Sequence, residues 1–379
     1  MPKQIIKTIS EEQKPLDYLP QMLADIKKET SEELFLNKSL LIQLLTLIIN
    51  QPNQFKPLIG GYSNDTYHYE KEHLVLRFPK PNNPLYRHTS IEIHNLEQAR
   101  LSGLTSLKVV AYSTKHSVLV TLFIAYCQSF SEKYFKEEPK NIIELALVVK
   151  QLHFDSYDFK KNPETAISFI DASSKTYRTI KSVLNAEDYQ ILKKLDAIRS
   201  CLAEFKILKC PSHGDLHHFN LISIKGSMQL MDWEVSSIED PAYDISRFFC
   251  VADFNTDQKN IFLQTYQNSC NILLLEPALT NLKTRIQLYE PLNYFSIVVW
   301  AKYAISFAYN DKRNLLDATI KNFTEKTLNA IEKINLAAIN PKSNEENNAN
   351  YPNSYFPLFK LTSENEPIKE QEKKLFKYR

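Results

Sequence analysis

The run PSHGDLHHFNLISIKGSMQLMDWEVSSIEDPAYDISRFF, residues 211–249, constrains this chain more than any other stretch. It opens with His213-Gly214-Asp215, sets Asn220 five residues after that aspartate, and continues as the short apolar segment Leu221–Ile224. Lys225-Gly226-Ser227 then marks a tight turn between two apolar runs, which reads as a β-hairpin. The returning run, Met228–Met231, delivers Asp232. The hairpin therefore sets the separation of Asn220 and Asp232, while Asp215 stands on the loop before it. Two other readings use the same residues. His213, His217 and His218 beside carboxylates suggest a transition-metal site, although that spacing asks for a helix where the flanking signals are strands. A purely structural hairpin would require Asp, Asn and Asp to fall into this order by accident.

The remaining residues have to supply a scaffold. At 379 residues the chain exceeds one small core and suits two lobes with extensions. A hydrophobic content of 43% and a charged content of 24% are those of a soluble globular protein. The net charge of +2 makes no electrostatic case for nucleic acid or a membrane surface. The longest apolar stretch, Leu40–Ile49, is interrupted by Gln43 and Thr46 and falls short of the roughly 20 residues a membrane span needs. The N-terminus is polar, without a signal-peptide pattern. Cys127, Cys201, Cys210, Cys250 and Cys270 show no CxxC spacing, so they read as reduced thiols of a cytoplasmic protein.

Patterning divides the chain into a helical extension at 1–50, a strand-rich segment at 51–127, a mainly helical segment at 128–338 and a polar tail at 339–379. In the extension, Thr30-Ser31-Glu32-Glu33 offers a capping-box helix start before a leucine-rich run. Strands are expected around Leu58–Tyr67 with a turn at Gly60-Gly61, at His73–Phe78, at Leu107–Tyr112 and at Ser117–Ile124. A helix from Ser90 stops at Gly103. Arg77 lies in an apolar strand, and a buried cation needs a partner, which Glu92 on the following helix can supply; alternatively Arg77 snorkels from an edge strand. Residues 128–138 look irregular and Asn141–His153 is a clean amphipathic helix. Residues 155–205 look like a helical insertion, and separate helices are expected at 277–289 and 293–309.

The order Asp215, Asn220, Asp232 is the kinase arrangement, in which an aspartate accepts the substrate hydroxyl proton and an asparagine and a second aspartate hold Mg²⁺ through oxygen. The chain resembles the choline/ethanolamine kinase branch of the aminoglycoside phosphotransferase-like kinases over roughly residues 55–310. GGYSNDTYHY resembles that family's phosphate loop, LVLRF its arginine-bearing third strand and RHTSIEIHNLEQA its small-lobe helix. HGDLHHFNLI resembles its catalytic loop and MDWEVSSIEDPAYDIS its metal-binding segment. The resemblance implies an α+β, two-lobed protein-kinase-like fold with ATP and Mg²⁺ as cofactors. It implies Asp215 as base, Asn220 and Asp232 as metal ligands, and Arg77, positioned by Glu92, on the nucleotide phosphates. Gly60, Gly61, Ser63 and Asn64 would line the phosphate loop, and Phe123, Ile124 and Tyr126 the adenine hinge. His213 and Asp244 would brace the catalytic loop.

The acceptor is less constrained. Glu234, Asp253, Trp300 and Tyr303 are the candidate substrate residues, the last two on one helical face with Phe307, as an aromatic cage for a quaternary ammonium would require; that face could equally be core. Gly214 stands where choline kinases usually carry Asn, and Val251 where many carry Glu, with Asp253 two residues later. Both positions depart from the choline kinase pattern; a cationic amino alcohol, choline before ethanolamine, is still expected from the aromatic face and the resemblance, with thiamine, an aminoglycoside or another hydroxylated metabolite as alternatives. A pseudokinase that only holds a ligand is a third reading, and a homodimer is left open.

Overall fold

Leu74, Leu76 and Phe78 are buried in alternation along strand β4 (Leu74–Pro79), the period-2 pattern of a sheet with one face on a core. The structure, a computed structural model, describes residues 17–58, 64–80, 88–125, 127–156, 158–269, 279–305, 310–339 and 341. Gly60, Gly61, Ser63, Tyr126, Cys270, Phe307 and nearly all of the 339–379 tail lie outside the described residues.

Strand β4 belongs to a six-stranded antiparallel sheet with β1 (Phe35–Leu36), β2 (Phe55–Pro57), β3 (Asn64–Tyr69), β5 (Val109–Ser113) and β6 (Val118–Leu122), in the order β1-β5-β6-β4-β3-β2. Helices α1 (Leu19–Lys28) and α2 (Lys38–Asn50) share one core with this sheet, Leu19, Ile26, Leu41 and Leu44 clustering with Phe55, Leu76, Phe78 and Val120. From residue 17 onward the N-terminal segment is thus part of the small lobe's core. The expected helix start at Thr30 is also different. Phe35 and Leu36 are drawn into the sheet opposite Ser113 and Tyr112, so Glu32–Leu34 forms only a 3-10 turn and α2 begins later, its cap supplied by Asn37 to the Leu40 amide. Helix α3 (Thr89–Leu101) completes the lobe.

The larger lobe is mainly helical. Residues 128–138 are regular, with strand β7 (Gln128–Ser129) and helix α4 (Glu132–Glu137), the latter capped by Ser131. Next come α5 (Pro139–Asp155), α6 (Lys175–Ile180), α7 (Ala186–Ala203) and β8 (Cys210–Ser212). The hairpin β9 (Leu221–Ile224) and β10 (Ser227–Leu230) pairs through β9 with β7, and β11 (Ser237–Glu239) pairs with β8. Helices α8 (Pro241–Ala252), α9 (Thr256–Asn268), α10 (Leu282–Ile305) and α11 (Asn310–Glu332) follow. The break expected between 289 and 293 is absent: α10 runs through Pro291. An internal proline costs about 3 kcal/mol, but Leu288, Leu292, Phe295, Val298 and Val299 on both sides of it are buried against α7. The helical insertion is therefore part of the large lobe's core, pinned further by Lys302 on α10 to Asp188 on α7 at 2.6 Å. Among the described residues, no helix is long and apolar enough to cross a membrane.

Candidate active site

One face of α8 holds the loop His213–Asp215. Asp244 is fully buried and accepts the backbone amides of His213 (2.7 Å) and Gly214 (2.9 Å), while His153 approaches it at 3.3 Å. Desolvation opposes its charge, but the hydrogen bond and proximity of His153, with His213, hold its carboxyl below the usual range. One residue earlier, the Tyr243 hydroxyl donates to the Gly214 carbonyl at 2.8 Å. The buried His213 donates from Nε2 to the Met231 carbonyl at 2.7 Å and packs on Trp233, which ties the loop to the end of β10. Gly214 has φ +81°, and a Cβ on it would stand 2.2 Å from the Val235 carbonyl oxygen. Glycine is thus required by backbone approach in this loop.

The Asp215 carboxylate is held rather than free. Arg247, one turn along from Asp244, donates to Oδ1 from Nε (3.0 Å) and Nη2 (2.7 Å), and His217 donates from Nε2 to Oδ2 at 3.2 Å. Burial alone would raise its pKa, but His217 and Arg247 hold it well below the ordinary carboxylate range. Asn220 gives its Nδ2 to the Asp215 backbone carbonyl at 2.9 Å, leaving Oδ1 as the end that can serve a cation.

On the small lobe, Arg77 on β4 meets Glu92 on α3 with 2.6 Å contacts to both carboxylate oxygens, and its Nη1 lies 3.9 Å from Asp232 Oδ1. Desolvation works against the guanidinium, yet Glu92, Glu234 and Asp232 together raise its pKa. Asp232 itself sits at φ 62°, a left-handed conformation that is costly for a non-glycine residue. Desolvation and then Glu234 push its carboxyl up to about 8, with Glu92 and Asp215 adding to the effect and Arg77 opposing it. The Asp232 side chain nevertheless keeps 47% of its surface open. Oxygen donors short of positive charge fit a hard divalent cation. Among the described residues, no cluster of three or more His, Cys, Asp or Glu has metal-holding geometry, and His213 and His217 are turned to Met231 and Asp215. The histidine-metal reading is therefore unsupported.

The other candidate residues are spread out. Asn64 reaches Glu234 at 3.4 Å, linking the start of β3 to the segment after Asp232. Phe123 stacks on His68 with centroids 3.7 Å apart and donates its amide to His73, beside the half-buried Ile124. Asp253 caps α8 and pairs with Lys326 on α11 at 2.9 Å, so its charge is already countered. Tyr303 is buried, 5% exposed, in the core between α10 and α7, and Trp300 packs beside Ala301, Ala304 and Leu316. In place of a shared cage, the two aromatics belong to two different packing clusters, a correction that follows from α7 covering that side of α10. Sequence reasoning missed Arg247, although an arginine inside the apolar run DISRFFCVA is itself a signal that a partner lies nearby. It also passed over Asn95, which bonds Lys160 and Ser236 from α3 and so joins the lobes.

Residues 54–270, more than half of the chain, match the phosphotransferase enzyme family, APH. Protein LicA of Haemophilus influenzae is 22% identical over 220 residues, 56% of this chain and 62% of that protein. The LicA homolog of Mycoplasma capricolum is 23% identical over 190 residues, 50% of this chain and 71% of its own. The chain thus spans somewhat under two thirds of the first of these relatives. Among solved structures, the choline kinase LicA from Streptococcus pneumoniae superposes with a TM-score of 0.60 at 16% identity, covering 78% of this chain and 99% of that one. A choline/ethanolamine kinase family protein from Mesorhizobium loti gives 0.55 at 20% identity, covering 73% and 92%. These likenesses establish the two-lobed kinase-like fold.

Proposed function

The chain belongs to the phosphotransferase enzyme family, and we propose that it is an ATP- and Mg²⁺-dependent kinase that phosphorylates the hydroxyl of a small amino alcohol, choline before ethanolamine. The observation that carries this reading is the convergence of Arg77, held by Glu92, on Asp232 at 3.9 Å. Residues more than 150 positions apart in sequence are thereby brought into contact.

In this reading Arg77 binds nucleotide phosphate and Glu92 keeps its fork oriented. Asn220 and Asp232 would hold Mg²⁺, which when bound would neutralise charge on the transferring phosphoryl group. Asp215 accepts the hydrogen bond of the acceptor hydroxyl; the new O–P bond forms as the β,γ-bridging O–P bond breaks, and the hydroxyl proton passes to the carboxylate. A depressed pKa makes Asp215 a weak base, which suits a loose transition state in which the alcohol is deprotonated late. The names of the LicA relatives and of the choline kinase neighbour support choline. Free Cys127, Cys201, Cys210 and Cys250 support a reducing, cytoplasmic setting.

A second acceptor class has its own support. Asp253 is countered by Lys326 and Tyr303 is buried in the core, so the features expected to receive a cationic head are engaged elsewhere; an uncharged hydroxylated metabolite fits the same reaction. ATP consumption across choline, ethanolamine, thiamine, an aminoglycoside and a neutral polyol separates the two, and a result blank for choline and ethanolamine but positive for another acceptor ends the first choice. Asp215→Asn should lower turnover by the roughly 10²–10⁴-fold of a lost general base. Near-normal turnover in that variant would overturn the mechanism.

A further inference from the structure

The Asp215 carboxylate offers about four lone-pair positions, and the fold has already used most of them. Arg247 takes two on Oδ1 through Nε (3.0 Å) and Nη2 (2.7 Å), and His217 takes one on Oδ2 at 3.2 Å. One position on Oδ2 is left for a hydroxyl. The remaining arm of Arg247, Nη1, points the other way, to the Asn293 carbonyl and Ser296 Oγ on α10, each at 3.3 Å. Ser296 is fixed in turn by donating to the same Asn293 carbonyl at 2.8 Å. The Arg247 side chain is 11% exposed, so water competes little for these bonds. Arg247 lies on the α8 face that also presents Tyr243 and Asp244 to the loop. Those two hold the backbone of the loop, and Arg247 alone of the three reaches the reacting side chain.

We propose that Arg247 is a positioning residue for phosphoryl transfer: its planar fork orients the Asp215 carboxylate so that one Oδ2 lone pair faces the acceptor hydroxyl, and its third nitrogen locks that orientation to α10. The proposal rests on the reading of Asp215 as the carboxylate that receives the hydroxyl. A lysine cannot replace the fork, because an ammonium is a point donor that cannot fix two coplanar N–H groups on Oδ1 while a third nitrogen reaches α10. Arg247 therefore acts through Asp215 and leaves nucleotide binding alone, since the phosphate-side residues Arg77 and Glu92 make no contact with it among the described bonds.

The experiment compares the wild-type chain with Arg247→Lys, Arg247→Ala and Asp215→Asn, using Mg-ATP with choline or whichever acceptor the panel identifies. Misplacement of a reacting group by about 1 Å costs on the order of 10²-fold. Arg247→Lys is expected to lose about 10–100-fold in kcat with KM for ATP changed less than about 3-fold. Arg247→Ala should lose more and recover part of its kcat on addition of guanidinium, which a merely structural role would not produce. Thermal unfolding checks that each variant is folded, and Arg247→Lys, which keeps the buried charge, serves if Arg247→Ala is not. A kcat near wild type in Arg247→Lys, or an equal loss in KM for ATP and kcat without guanidinium rescue, overturns the proposal while Asp215→Asn remains inactive. Activity in Asp215→Asn instead overturns the reading beneath it.

Discussion

Gly214 allows a direct test of how tightly the loop is built. Placing L-alanine at φ +81° costs roughly 1–2 kcal/mol from the left-handed backbone alone. The added Cβ would stand 2.2 Å from the Val235 carbonyl oxygen and 2.9 Å from its carbon, so one backbone segment has to yield, an overpacking cost of about 1–3 kcal/mol. Neither segment yields easily. The loop is tied to Asp244 and Tyr243, and the 233–236 turn is tied by the Ser236 hydroxyl to Trp233 at 2.7 Å and by Asn95 to Ser236 at 3.1 Å. Gly214→Ala should therefore lose about 2–5 kcal/mol in urea unfolding with the m-value unchanged, and its kcat should fall on the order of 10²-fold as Asp215 shifts. Gly214→Asn separates the two causes, because asparagine tolerates the left-handed region better but meets the same carbonyl. If the clash dominates, the two variants are equally impaired. A Gly214→Ala protein within about 0.5 kcal/mol of wild type and fully active would refute the reasoning, since surface-like tolerance is incompatible with this contact.

Glu92→Gln removes the carboxylate that orients Arg77, so KM for ATP should rise at least about tenfold while the acceptor KM holds; an unchanged ATP KM argues against the phosphate role. Asp244→Ala orphans two buried amides at about 1–3 kcal/mol each, a loss readable in denaturant unfolding, and a stability change below about 1 kcal/mol would contradict the bracing role. Removing residues 1–50 strips α1, β1 and α2 from the small lobe's core. The expected product is insoluble or unable to bind nucleotide, and a folded, ATP-binding truncation would show the segment to be dispensable. These outcomes, with that of Asp215→Asn, test separate parts of the site.

Short-range chemistry was legible in the chain. The hairpin around Gly226 and the placement of Asp215, Asn220 and Asp232 follow from spacing and turn residues over about twenty positions. The Arg77–Glu92 pair follows from a cation in a half-buried strand that needs a counter-charge on the next helix. Contacts that depend on distant surfaces were not legible. Phe35 and Leu36 become a strand only because β5 offers a free edge. Pro291 is tolerated because α8 and α7 bury α10 on both sides of it. Tyr303 and Trp300 have the spacing of a cage, but periodicity says only that residues share a face and not what covers it. Arg247 and Asp215 were both visible as residues, and only the packing of α8 beneath the loop made them partners. The sequence thus determined the candidate donor set, since residue type and local spacing decide which oxygens the hairpin can present. The tertiary structure decided how those groups are held and which aromatics are core, because burial and long-range pairing belong to the assembled surfaces.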